Sequence, residues 1–337
     1  MRAALRAAYD GPTHTHPNPR VGCVLLGDDR QPLAVGVHRG AGTPHAEVDA
    51  LQQAGDRANG TTAVVTLEPC NHTGRTGPCS EALIEAGVRR VVYAQAEPTD
   101  EATGGAARLA DANVDVEADV LADEAYALNE HWTQAVRMQR PFVTWKLAAT
   151  IDGRSAAADG TSRWISGPES RRDTHRLRAA VDAIVVGTGT VLIDNPRLTV
   201  RGDDDRPVGT QPVRVVIGTR DVPADRNVWS DAAPTRHLAT RDMHEALKTL
   251  YAEGVRDVWL EGGPTLAGAF LEADAVDEVI AYIAPMLLGS GLSALQTPAV
   301  TTIADAWHLE PVDVTTVGDD VRLTARPRRD EATKETD

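Results

Sequence analysis

Along the chain, apolar residues come in short runs divided by glycine, proline and polar clusters, and the runs switch between the twofold period of a strand and the longer period of a helix. The pattern predicts a helix over 1–8, strands over 21–26 and 33–38, a helix over 46–54, a strand over 62–67, a helix over 80–86 and a strand over 90–94. Before the first strand, Thr15-His16-Pro17-Asn18-Pro19 predicts a rigid turn, because each proline fixes its own φ and pushes its predecessor out of the helical region. Strands and helices alternating in this way build a sheet covered on both faces. A helical pattern over 123–138 is then broken by Arg140-Pro141, which sets the domain boundary: one domain over 1–139, a second over 140–327.

The second domain opens on a strand over 142–149 and a turn at Ile151-Asp152-Gly153-Arg154. A helix over 170–180, a strand over 183–186, a flexible glycine turn at Gly187-Thr188-Gly189-Thr190 and strands over 213–218 and 255–260 follow. The last of these runs into Glu261-Gly262-Gly263-Pro264-Thr265 and a helix over 266–273. Strands over 276–284 and within 308–327 close the domain, and the composition of 328–337 predicts a charged, disordered tail. The expected fold class is therefore α/β in both halves.

Composition narrows the function. At 337 residues and 42% hydrophobic content the chain has room for two domains with proper cores. A net charge of -15 argues against a nucleic-acid partner, whose affinity rests on basic phosphate contacts, while leaving room for a local pocket that takes one phosphate. No secretory segment opens the chain and no apolar run approaches bilayer length, so no membrane partner is expected. Three cysteines make no disulfide framework, and a reducing cytoplasm is the expected compartment.

Two of those cysteines carry chemistry. His45, Cys70 and Cys79 supply one imidazole and two thiolates, a tetrahedral zinc set left one protein ligand short, as a catalytic metal with an open position requires. Glu47, two residues from the imidazole, is placed to move the protons of a zinc-activated water. H-x-E followed by P-C and a second Cys is the zinc nucleobase-deaminase signature. A closed structural zinc knot would need a fourth Cys or His at knuckle spacing, and Cys23, in a strand, reads as a small buried hydrophobe. The eight-residue insert at 71–78 is polar and glycine-punctuated; it reads as a loop over the metal, with His72 and Arg75 facing substrate. In the second half, a strand, a double glycine and a helix start at 260–266 could hold a diphosphate or be a plain tight turn. Arg171, Arg172 and Arg176 read as a solvated helix face.

With both halves read, the sequence resembles the bifunctional riboflavin-biosynthesis deaminase/reductase family over nearly its whole length, to about Pro327. The first-half motifs are His16-Pro17-Asn18-Pro19 with Val21-Gly22-Cys23, Pro44-His45-Ala46-Glu47, and Thr66-Leu67-Glu68-Pro69-Cys70 with Gly74-Arg75-Thr76 before Pro78-Cys79. Second-half motifs include Lys146-Leu147, Asp152-Gly153-Arg154, Trp164-Ile165, Asp194-Asn195-Pro196, Leu198-Thr199-Val200-Arg201 and Glu261-Gly262-Gly263-Pro264-Thr265-Leu266. The resemblance implies a cytidine-deaminase-like three-layer α/β/α domain followed by a dihydrofolate-reductase-like α/β domain. It implies one Zn2+ in the first and NADPH in the second, a phosphoribosylated pyrimidine as the small-molecule substrate, and a homo-oligomer.

The resemblance also implies roles for residues. Zinc would sit on His45, Cys70 and Cys79, and Glu47 would shuttle protons to the ring nitrogen and the departing ammonia. Asn18, Asn71, His72 and Arg75 would hold base and sugar. In the reductase half Lys146, Ser162, Arg178, Leu198, Arg201 and Glu261 match substrate contacts. Ala148, Trp164, Thr190, Asp194, Thr219 and the run Gly263, Pro264, Thr265, Leu266, Ala267, Gly268 and Ala269 match cofactor contacts. Asp194, then Lys146, is the candidate for proton management. The sequence departs from the family in a shorter first helix and in Gly77, where proline is common.

Overall fold

The computed structural model describes residues 1–72, 77–202 and 204–328. Arg75, with the rest of 73–76, and the tail from 329 onward therefore lie outside the described residues. The chain divides into two compact units, Met1–Arg140 and Pro141–Asp337.

The first unit runs α1 (Arg2–Asp10), β1 (Gly22–Leu26), β2 (Pro32–Val37), α2 (Ala46–Ala54), β3 (Thr62–Leu67), α3 (Cys79–Glu85), β4 (Arg90–Gln95), α4 (Gly105–Asp111), β5 (Asp115–Glu117), α5 (Ala122–Leu128) and α6 (Glu130–Met138). Its sheet has the order β2-β1-β3-β4-β5, with β1 antiparallel to β2 and β3, and β3, β4 and β5 parallel. Strand alternation assigns the faces. Cys23, Leu25, Ala63, Val65 and Val91 pack with Ala46 and Ala50 of α2, whereas Val24 and Val64 turn to the other face and pack with Ala4 of α1. Helices cover both faces, which makes three layers.

Two glycines set how closely helices approach this sheet. A Cβ on Gly36 would lie 2.1 Å from the Ala46 carbonyl oxygen, so only glycine lets β2 run under the start of α2, where His45 and Glu47 sit. Likewise a Cβ on Gly105 would lie 1.7 Å from the carbonyl oxygen of Pro69, so α4 lies directly on the chain leading into Cys70.

The single helix expected over 123–138 is two. Asn129 breaks it, because its side chain faces the backbone of Arg20, accepting from the amide at 2.9 Å and donating to the carbonyl at 2.9 Å. Tertiary pairing thus overrides a continuous helical pattern. In α6, Trp132 donates to the Pro17 carbonyl at 2.9 Å and so pins the Asn18 turn.

The second unit runs β6 (Phe142–Thr150), β7 (Arg154–Ala157), α7 (Pro168–Arg178), β8 (Ala183–Gly187), α8 (Thr188–Asp194), β9 (Val213–Ile217), β10 (Thr235–Leu238), α9 (Met243–Ala252), β11 (Asp257–Leu260), α10 (Pro264–Glu272), β12 (Glu278–Ala284), β13 (Gly291–Ser293), β14 (Leu309–Val317) and β15 (Asp320–Pro327). An eight-stranded sheet has the order β10-β9-β8-β11-β6-β12-β15-β14, parallel through β12 and antiparallel from there. One face packs on Leu247, Leu250, Phe270 and Leu271 of α9 and α10, the other on Val191 of α8 and on Leu198. β7 and β13 pair as a separate ribbon.

The glycine turn expected at 187–190 is instead the entry to α8, with Gly187 as its N-cap in extended conformation and Val191 buried beneath it. The glycines read as turn punctuation, but the apolar residues after them supply the buried face that a helix needs. No element was expected over 235–254, where β10 and α9 form.

Gly36→Ala forces a methyl group into a backbone contact, and overpacking of that kind costs about 1–3 kcal/mol. We expect a lower urea midpoint for the first unit; an unchanged midpoint would show that α2 can move away freely.

Candidate active sites

Three elements bring the first site together. His45 is the N-cap of α2, Cys70 follows the end of β3, and Cys79 opens α3, so their donor atoms all lie within 4.8 Å of one another. His45 Nδ1 is 3.2 Å from Cys79 Sγ and 3.6 Å from Cys70 Sγ. Two ligands at zinc–nitrogen and zinc–sulfur distances on a tetrahedron stand roughly 3.6 Å apart. The donor set therefore fits a zinc ion. The Cys79 amide also donates to Cys70 Sγ at 3.5 Å, as a thiolate at a helix start requires. Hydrogen bonding from Cys79, then from His45, outweighs burial and brings the Cys70 thiol down to about 4.

Glu47 lies beside this set, buried on the inner face of α2. Burial pushes its carboxyl up to about 7 against the pull of His45, so it can hold or release a proton near neutrality.

His38 is a part of this site that sequence reasoning missed. Its ring stands edge-on to His45 with centroids 5.4 Å apart, its Nδ1 faces the Pro44 carbonyl at 3.0 Å and its Nε2 faces Asn18 Nδ2 at 3.0 Å. A carbonyl only accepts, so Nδ1 carries the proton and Nε2 accepts from Asn18. That fixes the amide, leaving Asn18 Oδ1 free to accept. No spacing signal marked His38, because its partners are set by strand pairing. Asn71 accepts from Ser80 at 2.9 Å, and His72 is exposed.

The second site is a cavity of about 1580 Å³ over the carboxyl ends of the parallel strands, where ligands of open α/β sheets bind. Lys146, Ala148, Ser162, Trp164, Thr190, Asp194, Thr219 and Glu261 all line it, as do Arg178, Arg201, Gly263, Pro264, Thr265, Leu266 and Ala269. Two residues of the expected cofactor run do not. Ala267 is buried in the core under α10, and a Cβ on Gly268 would meet the Gln296 carbonyl oxygen at 2.3 Å. Helical periodicity turns these two inward, whereas the linear motif treated all seven alike. Leu198 lies in an adjoining cavity, buried at the rim of the core.

Arg178 and Glu261 meet each other. The guanidinium and the carboxylate pair through two bonds, Nε to Oε1 at 2.5 Å and the second through a terminal nitrogen, and Trp259 donates to the same carboxylate at 2.5 Å. Burial works to raise the Glu261 pKa, but Arg178 and Lys146 overcome it and hold it at about 2. Lys146 is half-buried, desolvation lowers its pKa, and its Nζ stands 5.7 Å from the centre of the Tyr282 ring. Tyr282 donates to Asp173 at 2.7 Å, and Arg322 holds the same carboxylate at 2.9 Å. Burial raises the Asp194 carboxyl, with Arg163 opposing.

The arginine-rich face of α7 is not uniformly solvated. Arg172 and Arg176 pair with Glu169 and Asp173 of the same helix, but Arg171 stacks 4.4 Å from the Trp164 ring centre and donates to the Ser166 carbonyl at 2.8 Å. Arg201 pairs with Asp205, and its amide donates to His175 Nδ1 at 3.3 Å.

Both units have counterparts in known proteins. Residues 141–323 match the RibD C-terminal domain, and residues 1–95 match the cytidine and deoxycytidylate deaminase zinc-binding region. The riboflavin biosynthesis protein RibD of Mycobacterium tuberculosis is 47% identical over 326 residues, covering 96% of this chain and 95% of that protein. The chain belongs to the RibD family. Its Escherichia coli relative is 41% identical, covering 96% of this chain and 97% of that protein. The RibD structure of Acinetobacter baumannii superposes with a TM-score of 0.88 at 36% identity, covering 97% of this chain and 98% of that one. A Thermotoga maritima structure, a diaminohydroxyphosphoribosylaminopyrimidine deaminase/5-amino-6-(5-phosphoribosylamino)uracil reductase, reaches 0.86 at 30% identity over 97% of each chain. The chain is accordingly a bifunctional deaminase and reductase of riboflavin biosynthesis, with a zinc-binding deaminase region. Among the described residues no helix is long and apolar enough to cross a membrane.

His175 supplies a pH test. Burial, then Arg178 and Arg201, hold its pKa down at about 4. A depressed pKa means that the neutral imidazole contributes stability in full above the unfolded value near 6.5, and that this is lost as pH falls toward 4. Urea unfolding of the wild type should therefore weaken over that window by more than unfolding of His175→Gln. Parallel curves would sink the assignment.

Proposed function

We propose that the first unit deaminates a diaminopyrimidinone carrying a phosphoribosylamino group, and that the second reduces the product's ribosyl group to a ribityl chain with NADPH. The observation that carries the deaminase reading is the tetrahedral spacing of His45, Cys70 and Cys79 beside a buried carboxylate. When bound, the zinc supplies an activated water at the amino-bearing carbon. Glu47 would take a proton from the attacking water and pass it to the ring nitrogen, then take the proton of the adduct's hydroxyl as the carbonyl forms and deliver it to the amino group, which leaves as ammonia. A purely structural metal has no use for such a group. Asn18, its amide fixed by His38, presents an acceptor to an N–H of the base, and Asn71, His72 and Arg75 hold the remainder of the substrate.

In the reductase unit NADPH supplies the hydride when bound. Trp164, Thr190, Thr219 and the start of α10 would hold it, in the cavity that Asp194 and Lys146 also line. Asp194, with a carboxyl raised by burial, would manage the proton taken up by the imine nitrogen as hydride reaches the adjoining sugar carbon, and Lys146 is second in that role. Arg201 and Ser162 bind the substrate's sugar phosphate, for which a guanidinium fork is suited. Arg178 and Glu261, bound to each other, shape that end of the cavity. We place the protein in the cytoplasm on its three free cysteines, and as a homo-oligomer on the exposed edge strand β14, whose Val312 and Val314 are uncovered.

Two assays separate the units. Glu47→Gln should cut ammonia release by about a hundredfold or more, the range for loss of a general acid–base group, while NADPH oxidation on the pre-deaminated substrate persists. Loss of both activities in folded, zinc-loaded protein would refute two independent sites. Cys70→Ser should lower the zinc content below one ion per chain by elemental analysis, with the reductase unit still active; full zinc occupancy would remove Cys70 from the ligand set.

A further inference from the structure

Lys146 brings a cation into the reductase cavity, yet its ammonium forms no hydrogen bond or ion pair among the described residues. The charges that act on it, Glu261 and Arg178, are already bonded to each other, and Trp259 donates to the same carboxylate. A lysine stem is flexible, so an ammonium with no bond at its tip keeps many directions open. Some other contact has to choose one.

Strand register supplies that contact. In the pairing of β12 with β6, Ile280 lies opposite Lys146 and Tyr282 lies opposite Ala148. Side chains two residues apart on a strand share a face, so Lys146 and Tyr282 are diagonal neighbours on one face of the sheet. The Lys146 Nζ stands 5.7 Å from the ring centre, inside the roughly 6 Å over which a ring face attracts a cation. Tyr282 is fully buried and is not among the residues that line the cavity, so it meets the lysine from the core side.

The ring is itself immobilised. Arg322 lies opposite Tyr282 on β15, and both bond Asp173 of α7, the hydroxyl at 2.7 Å and the guanidinium at 2.9 Å. Burial, then Asp173, push the phenol well up, so it stays protonated and offers Lys146 a neutral ring face rather than a phenolate. A phenol that donates to a carboxylate is polarised toward greater electron density on its ring, which strengthens that attraction.

We propose that Tyr282 is a positioning residue of the reductase: its ring, held by Asp173 and Arg322, fixes the direction in which the Lys146 ammonium enters the cavity. The inference rests on the reading that Lys146 acts on the substrate there. The hydroxyl bond alone would make Tyr282 a strut between β12 and α7. Its ring beside Nζ adds a task performed through one other residue.

A double-mutant cycle on the full-length protein separates the two tasks. Tyr282→Leu should lower reductase kcat roughly tenfold, the size of a partly desolvated cation–ring contact, with the KM for NADPH moved by less than about twofold. In Lys146→Met, where no ammonium remains to be held, the same substitution should change the residual single-turnover rate by less than about twofold. Tyr282→Phe keeps the ring and should retain most of the kcat. The chain has only three lysines, Lys146, Lys248 and Lys334, so NMR with isotope-labelled lysine follows the same contact without turnover. The signal of the Lys146 methylene next to Nζ, assigned by its absence from Lys146→Met, should be shifted upfield by the ring in the wild type and in Tyr282→Phe, and should lose that shift in Tyr282→Leu. An unshifted signal in the wild type, or equal losses of rate from Tyr282→Leu in both backgrounds, would overturn the proposal and leave Tyr282 a strut. Tyr282→Phe as impaired as Tyr282→Leu would overturn it too, by assigning the effect to the hydroxyl. An unimpaired Lys146→Met would instead overturn the role given to Lys146, a result distinct from the others.

Discussion

A tetrahedral metal set tolerates little error, and in this chain its donors come from positions as far apart in sequence as His45 and Cys79. The first unit meets that constraint with backbone contacts. Gly36 lets α2 settle on β2, which fixes His45 and Glu47; Gly105 lets α4 lie on Pro69, which fixes the approach to Cys70; and Cys79 is placed by the start of α3. Asn129 and Trp132 then hold the Asn18 turn against the same site through backbone atoms of Arg20 and Pro17. Rigid neighbours of this kind hold a site to the fraction of an ångström that chemistry needs.

The second unit solves a different problem, that of putting many charges into one cavity without mutual cancellation. Glu261 is taken up by Arg178 and Trp259, so it does not tie Lys146 down as an ion pair. Lys146 rests instead near the face of Tyr282, itself anchored through Asp173 to Arg322. A buried pair of this sort adds little net stability, but leaving either partner alone would be costly, so the two function as one unit. The net negative charge of the whole chain thus coexists with a cavity whose free positive groups are few and individually placed.

Much of this was legible in the sequence. Periods of two and of 3.6, broken by glycine and proline, gave the strands and most helices, because burial of one face is a property of the local pattern. His45, Glu47, Cys70 and Cys79 were legible because metal and acid–base chemistry admit few residue types at such spacing. The family motifs named the lining of the second cavity.

What failed to show was whatever depends on partners distant in sequence. Asn129 splits a helix because it meets Arg20, Gly187 to Thr190 begin a helix because Val191 finds a core, and Ala267 and Gly268 drop out of the cavity lining because the helix turns them inward. His38 joins the zinc site, Arg178 is matched to Glu261, and Arg171 finds Trp164 for the same reason. The sequence by itself determined which chemical groups are present and which local elements carry them. Only the tertiary structure decided which groups touch, since an imidazole's tautomer, an arginine's freedom and a carboxylate's charge are set by neighbours that chain order does not reveal.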